Sequence, residues 1–411
     1  MSEPVTGDYI TNPGANPHDL SARLRAECPV HRIDYPVGAS AYVVVDYKTN
    51  QEAFNDPRLS KQLENAPAWF RERTLSNSPV VAASMVLSDP PEHTRLRRLV
   101  SRSFLPRRLK RLRPVVQGIT DDLIDAFPGS GEIDLLTDFS YPLPLTTICV
   151  LFGVPESDRA LFKYWGTYLS GSPGDTDPGR AAKRREVNDE VTEYLGAVLA
   201  DRRAHRDQLR EDLFSDLVRA ADEDDMFTDE ELVSTMIQLI LAGHKTTATL
   251  IGNGTVALLR HPEQLALLRS RPELVSSAVE EFLRYEGSVD RGSLRVAAQD
   301  MELGGVHIPK ESFVHLSISA ANRDPSVFVD PDRLDITRSP NQHFAFGHGP
   351  HFCAGSPLAR LEANIAFETL LRRLPSFELA VPFEELPWIA DSSIGRGVEA
   401  VPLRYEKRLP R

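Results

Sequence analysis

Between residues 346 and 355 the chain reads Phe-Gly-His-Gly-Pro-His-Phe-Cys-Ala-Gly, and a helical run from Leu358 to Leu374 follows directly. Cys353 therefore stands at a helix entrance, where unpaired backbone N–H groups and the helix dipole favour a thiolate, the form in which sulfur binds metal. Glycines at 347, 349 and 355 permit positive backbone angles and let the main chain approach a flat ligand closely. Phe346 is placed to shield the sulfur. Cys28 and Cys149 have no such setting and read as small buried hydrophobes. Three cysteines form no disulfide framework, and none has the C-x-x-C spacing of a zinc site.

A ligand held behind such a loop needs a deep core, and 411 residues with 41% hydrophobic content are enough for one. No internal repeat or linker-like tract interrupts the chain, so residues 1–411 read as a single domain. Acidic residues outnumber basic ones 59 to 47, for a net charge of -12, which argues against a coat for nucleic acid and for small substrates or a protein partner. The opening Met1-Ser2-Glu3-Pro4 lacks the basic and apolar regions of a secretion leader. No apolar run reaches the roughly 18 residues of a membrane span. The expected location is the cytoplasm, with no membrane partner.

From about residue 92 to 286 the pattern is mostly helical, whereas extended stretches fall near 30–46, 294–318 and 393–405. Met301-Glu302-Leu303, Gly304-Gly305, Val306-His307-Ile308 predicts a hairpin with a tight primed turn. Thr228 and Glu231 form a capping box ahead of a long run, Leu232 to Arg260, that is apolar on most sides and so crosses the core. Another helix starts around Pro272, with Val275, Ala278, Val279 and Phe282 on one face and Glu281 and Arg284 on another. Residues 62–91 and 170–180 read as loops, the first long enough for a functional lid.

The cysteine loop matches F-x-x-G-x-[His or Arg]-x-C-x-G without a gap, and in this the chain resembles the cytochrome P450 superfamily, of the bacterial soluble, ferredoxin-dependent type. The resemblance implies a mainly α fold with a small β subdomain, a triangular helical prism around a buried haem b, with Cys353 as the axial thiolate on iron. Phe346 and Gly349 belong to the same motif. It also implies an E-x-x-R pair, Glu281 and Arg284, which at i and i+3 are neighbours on a helix. The family's third partner comes from a Pro-x-Arg segment, here Pro331-Asp332-Arg333, and all three have a structural role beneath the haem. Haem carries propionates that need basic partners, which by resemblance are His93, Arg97, Arg295 and His351.

By the same resemblance Ala242-Gly243-His244-Lys245-Thr246-Thr247 is the oxygen-binding stretch of the long helix. A small-residue pair loosens the helix there, and Gly243 leaves room for a diatomic molecule. The Thr246 hydroxyl can bond either to the helix backbone or to the oxygen being activated, and Thr247 follows it. Lys245 departs from the family, which usually has Asp or Glu at this place. Three readings stay open: Lys245 relays protons itself, it points to solvent while water and Thr246 do the work, or it is an engineered change.

The implied reaction is insertion of one oxygen atom from O2 into a bulky organic substrate, such as a polyketide, macrolide or terpenoid of bacterial secondary metabolism, in an antibiotic-tailoring role. Electrons come from NAD(P)H through ferredoxin reductase and ferredoxin. Residues expected to face the substrate are Met85, Val86, Ile240, Ala242, Gly243, Val289, Leu294 and Ile394. Nine basic residues from Arg95 to Arg113 offer a patch for an acidic ferredoxin. The protein is expected to act as a monomer. A peroxide-using enzyme, or one catalysing oxidative coupling, dehydration or isomerisation, is the alternative that Lys245 raises, and a non-catalytic haem sensor is a further one.

Overall fold

The computed structural model describes residues 18–34, 40–77, 83–169, 177–209, 211–224, 227–292, 294–389 and 395–407. Its centre is the helix Asp229–Arg260. Its 32 residues span about 48 Å at 1.5 Å per residue. The capping box forms as the sequence predicts: the Thr228 hydroxyl accepts from the N–H of Glu231, and the Glu231 carboxylate accepts from the N–H of Thr228. Beyond that cap the helix is buried along Leu232–Ile237 and again along Thr247–Leu258. It packs against the helices Pro142–Phe152, Pro178–Ala204, Val275–Glu286 and Ser356–Arg373. A Cβ on Gly254 would come within 2.8 Å of the rings of Phe282 and Phe367, so this glycine is what lets the last two helices approach.

The strands form small sheets at the side of the helical body. In chain order they are β1 Val30–Asp34, β2 Ser40–Val44, β3 Leu59–Ser60, β4 Ser130–Asp134, β5 Arg295–Ala297, β6 Met301–Leu303, β7 Val306–Ile308, β8 Phe313–Leu316, β9 Ser376–Leu379 and β10 Pro402–Glu406. The largest sheet runs β1-β2-β8-β5-β3, with β2 and β8 parallel. A second runs β4-β10-β9, and β6-β7 is the predicted hairpin, with Gly304 and Gly305 at φ of 56° and 77°. The mainly helical fold with a minor sheet component is therefore as expected.

Three expectations change: of residues 170–180, read as a loop, 170–176 lie outside the described residues and the helix Pro178–Ala204 already begins within the stretch. Strand β4 interrupts the stretch 92–286 that reads as helical. Its sequence, Ser-Gly-Glu-Ile-Asp, has one apolar residue and no alternation, and it is a strand because β10 pairs along its whole length. Within 62–91, read as a loop, residues Ala68–Asn77 are helical. Pro67 starts this helix by accepting from the N–H groups of Phe70 and Arg71, and Trp69 and Phe70 pack edge-on against Phe313. Among the described residues no helix is long and apolar enough to cross a membrane.

A cavity lies between the middle of the Asp229–Arg260 helix and the loop and helix that carry Cys353.

Candidate active site

The cysteine loop is fixed by its own backbone: the N–H of Cys353 donates to the Phe346 carbonyl at 2.9 Å, and that of Gly347 to the Phe344 carbonyl at 2.7 Å. Gly349 has φ of 70°, and a Cβ there would lie 2.5 Å from Asn55 Oδ1 and 3.0 Å from the Phe54 carbonyl. Only glycine lets the loop rest on the Tyr47–Asn55 helix. The Arg360 guanidinium covers the Phe346 ring at 4.5 Å and is held by Glu280 at 2.6 Å. Cys353 is accessible because it faces the cavity. Burial pushes its thiol up, while the N–H groups of Gly355 and Ser356 and the guanidinium groups of Arg97 and Arg360 work in the thiolate's favour. Among the described residues no group of three or more His, Cys, Asp or Glu side chains could hold a metal ion. A metal bound through Cys353 must therefore arrive with ligands of its own, as iron does in a porphyrin.

The basic residues singled out in the sequence converge on one end of this cavity. Lys61, His93, Arg295 and Arg97 all act on His351, which burial and these charges push down to about 2. The rings of His93 and His351 are 4.0 Å apart. Burial brings Arg295 down to about 10 and lowers Arg97 and His93 as well. Lys61 lies well below its ordinary range, through burial and the charge of Arg295. The carboxylate among them is Asp89, which accepts from the Ser60 hydroxyl and the Lys61 N–H. Among the described residues His93 Nε2 and Arg295 Nε have no hydrogen-bond partner. So many desolvated cations around one carboxylate make a site short of negative charge, and a pair of carboxylates on a flat ligand would complete it. The residues present fit a haem and its propionates. Sequence reasoning missed Lys61, whose neighbourhood, Leu59-Ser60-Lys61, carries no local signal of burial.

On the long helix Ala242, Gly243, Thr246 and Thr247 line the cavity. The helix is continuous through Gly243. Of the two partners open to Thr246, its hydroxyl takes the backbone, donating to the Ala242 carbonyl at 2.9 Å. A Cβ on Gly243 would sit 3.0 Å from Ile148, so this glycine also sets how closely the Pro142–Phe152 helix packs. Lys245 is exposed and does not line the cavity. His244 is buried and its Nδ1 meets the Ile240 carbonyl at 2.9 Å.

Met85, Val86 and Val289 line the cavity as expected. Ile240 does not: it is 1% exposed and packed in the core. The cavity face of the helix runs through Leu239, Gly243, Thr246 and Leu250, and Ile240 lies about 100° around from Leu239. Leu294 also points elsewhere, toward a cluster with Leu24, Ile33 and Phe313. Its neighbour Arg295 faces the cavity, and adjacent residues in extended chain face opposite ways. Ile394 lies outside the described residues. Asp290 and Arg291 are buried and pair with each other at 3.4 Å. Gln238, Ser288 and Glu362, which the sequence did not point to, also line the cavity.

Arg284 grips Glu281 with two bonds of 2.8 Å, both side chains fully buried. Arg333 contributes only its carbonyl, which accepts from Arg284 Nη2 at 3.1 Å. The third charged partner is Arg338, whose Nε lies 3.2 Å from Glu281. The Arg333 side chain is exposed.

Known proteins resemble the chain along nearly its whole length. The family profile described as "p450: Cytochrome P450" matches residues 15–270 and 266–398. The chain is 43% identical to cytochrome P450 monooxygenase PikC of Streptomyces venezuelae, over 96% of this chain and 92% of that protein. It is 35% identical to the polyketide biosynthesis cytochrome P450 PksS of Bacillus subtilis (strain 168), over 95% of this chain and 96% of that one. A solved structure of the cytochrome P450 enzyme CxnD, for C–S bond formation in chuangxinmycin biosynthesis, superposes with a TM-score of 0.94 at 53% identity, covering 100% of this chain and 99% of that chain. With that coverage and a cavity that suits haem beside Cys353, the chain belongs to the cytochrome P450 superfamily and is a haem-thiolate monooxygenase.

Proposed function

We propose that Cys353 is the axial ligand of a haem b whose propionates are held by His93, Arg97, Arg295, His351 and Lys61, and that the enzyme oxidises a bulky secondary metabolite of polyketide or macrolide type. The observation that carries this reading is the cavity itself, with Cys353 on one wall, Thr246 and Thr247 opposite, and an apolar side formed by Met85, Val86, Leu239 and Val289. When bound, haem supplies the activation of O2 and the transfer of one oxygen atom. The chain's own residues exclude water with that apolar wall and orient the substrate through Gln238 and Ser288. The likeness to the polyketide biosynthesis cytochrome P450 PksS supports the substrate class.

Electrons come from NAD(P)H through a ferredoxin reductase and a ferredoxin that docks on the basic surface of residues 95–113. That surface is less positive than its sequence suggests, since Arg108 pairs with Asp216, Arg111 with Glu211 and Arg113 with Glu368. Arg98, Arg107 and Lys110 are exposed on it. The protein acts as a cytoplasmic monomer of one domain.

A second reading, oxidative formation of a C–S bond, is favoured by the 53% identity to CxnD. A panel of macrolides, polyketides and thiol-bearing compounds, screened for a shift of the haem from low to high spin, tests both. Turnover of the compounds that shift, with NADPH, reductase and ferredoxin, then separates an added oxygen atom from a new C–S bond by product mass. A panel in which no polyketide or macrolide shifts the spin state contradicts the first reading.

A further inference from the structure

Between its two buried stretches, Leu232–Ile237 and Thr247–Leu258, the long helix has three exposed residues, Ala242, Lys245 and Thr246. At i, i+3 and i+4 they are neighbours and form one patch on the helix surface. Ala242 and Thr246 line the cavity, whereas Ile240, His244 and Ile251, on the far side of the helix, are buried. The patch therefore opens at the mouth of the cavity and not on the outer side of the helix. Lys245 stands about 60° around the helix from Ala242, at the edge of the cavity face. Its four-carbon stem lets the ammonium reach over that edge.

Among the described residues no hydrogen bond or ion pair engages this ammonium. Its neighbour His244 supplies no negative charge: burial lowers the imidazole, the bond to the Ile240 carbonyl works against that, and Lys245 lowers it further. The basic residues on the cavity wall, Lys61, Arg97, Arg295 and His351, stand together at the end given above to the propionates. The acid on the wall, Glu362, is pushed up to about 8 by burial, so near neutral pH it is mostly uncharged and does not repel an anion. Lys245 is thus a cation at the substrate side of an apolar cavity, at the place where the family has an acid. The charge presented at the mouth is reversed. With a net charge of -12 on the whole chain, an anion is drawn there by local charge and not by the overall field.

We propose that Lys245 binds a carboxylate of the substrate, so that the compound oxidised carries an acid group toward the cavity mouth while its apolar body lies against Met85, Leu239 and Val289. An ammonium paired with a carboxylate at the edge of an apolar cavity is partly shielded from water, which strengthens the pair over one on an open surface. The proposal rests on the reading of this cavity as the site of haem and substrate, and it adds an acid group to the substrate class given above.

The test uses the purified holoprotein and ligands whose place in the cavity is fixed by the haem. These are imidazoles bearing on N1 an alkyl chain that ends in a carboxylate, a primary amide or an amine, in a series of chain lengths. The imidazole binds iron and shifts the Soret band, which gives a dissociation constant without a known substrate. At the length that reaches Lys245 the acid is expected to bind wild type about tenfold more tightly than the amide. The preference should shrink as salt is raised. Lys245→Met removes it, Lys245→Arg keeps it, and Lys245→Glu turns it in favour of the amine. An alkylimidazole with no polar end reports separately on haem: no Soret shift with it contradicts the haem reading and takes this proposal with it. The proposal alone is overturned if acid and amide bind wild type equally at every length, if Lys245→Met keeps the preference, or if Lys245→Glu still prefers the acid. A preference for acids that depends on Lys245, found where no polyketide or macrolide shifts the spin state, supports the proposal and contradicts the substrate class.

Discussion

The imidazoles of His93 and His351 lie with ring centroids 4.0 Å apart and planes at 41°, although one comes from the Glu92–Ser103 helix and the other from the cysteine loop. Burial lowers the pKa of both rings, and Lys61 and Arg97 add to the effect. The cluster gathers more cationic groups than the Asp89 carboxylate balances.

Lys61→Met should therefore have opposite effects on the two forms of the protein. Removing a fully buried cation relieves the repulsion from Arg295, so the apoprotein should melt at a higher temperature. Asp89 keeps its bonds from Ser60 and from the backbone of residue 61. The holoprotein should lose haem faster, because one propionate contact is gone. Melting curves of apoprotein and transfer of haem to apomyoglobin measure the two. A variant with unchanged haem loss contradicts the place given to Lys61.

Glu281, Arg284, Arg333 and Arg338 give a graded series. Arg284→Ala leaves Glu281 buried with part of its charge uncompensated and should cost on the order of 3–5 kcal/mol. Arg338→Ala removes a partner at 3.2 Å and should cost less, since Arg284 still holds Glu281 with two bonds. Arg333→Ala keeps the carbonyl that Arg284 uses, so it should stay within about 0.5 kcal/mol of wild type. Urea unfolding of the variants gives the order, and a costly Arg333→Ala would restore that side chain to the lock.

His315 sets part of the acid response. Burial, followed by the charge of Arg291, pushes it from 6.5 down to about 3. Below pH 6.5 the unfolded chain binds a proton that the folded one refuses, so this contribution is whole above pH 6.5 and is lost as the pH falls toward 3. The slope is up to about 1.4 kcal/mol per pH unit. His315→Gln should flatten the dependence of unfolding free energy on pH in that window, as followed by urea titration at a series of pH values.

Much of this was readable from short stretches of sequence. The cysteine loop, the Thr228 capping box and the double-glycine hairpin are local devices whose partners lie within a few residues. What the sequence misplaced depends on distant chain. Ile240 and Leu294 stand in segments that border the cavity but on faces turned into the core, because the face is chosen by what packs against it. Arg338 takes the place in the lock that the Pro-x-Arg pattern gives to Arg333, and only the folded chain brings its side chain to Glu281. Glu362 left a trace, an acid on the stripe of Leu358 and Ile365, but only the fold shows that this stripe borders the cavity.

Thr246 and Lys245 should differ in effect. Thr246→Ala frees the Ala242 carbonyl and removes a hydroxyl from the cavity wall, so product formed per NADPH should fall and hydrogen peroxide rise. Lys245→Glu, on the exposed side of the helix, should change that ratio less. The reverse order, read with any compound that shifts the spin state, would place the proton route through residue 245.

The central claim is that the Cys353 sulfur ligates haem iron. The most direct measurement is the absorption spectrum of the reduced carbon monoxide complex of wild type and Cys353→His. The wild type should show the red-shifted Soret band of a thiolate-ligated haem, and the variant should bind haem without it. A Cys353→His protein that keeps the red-shifted band would contradict the assignment.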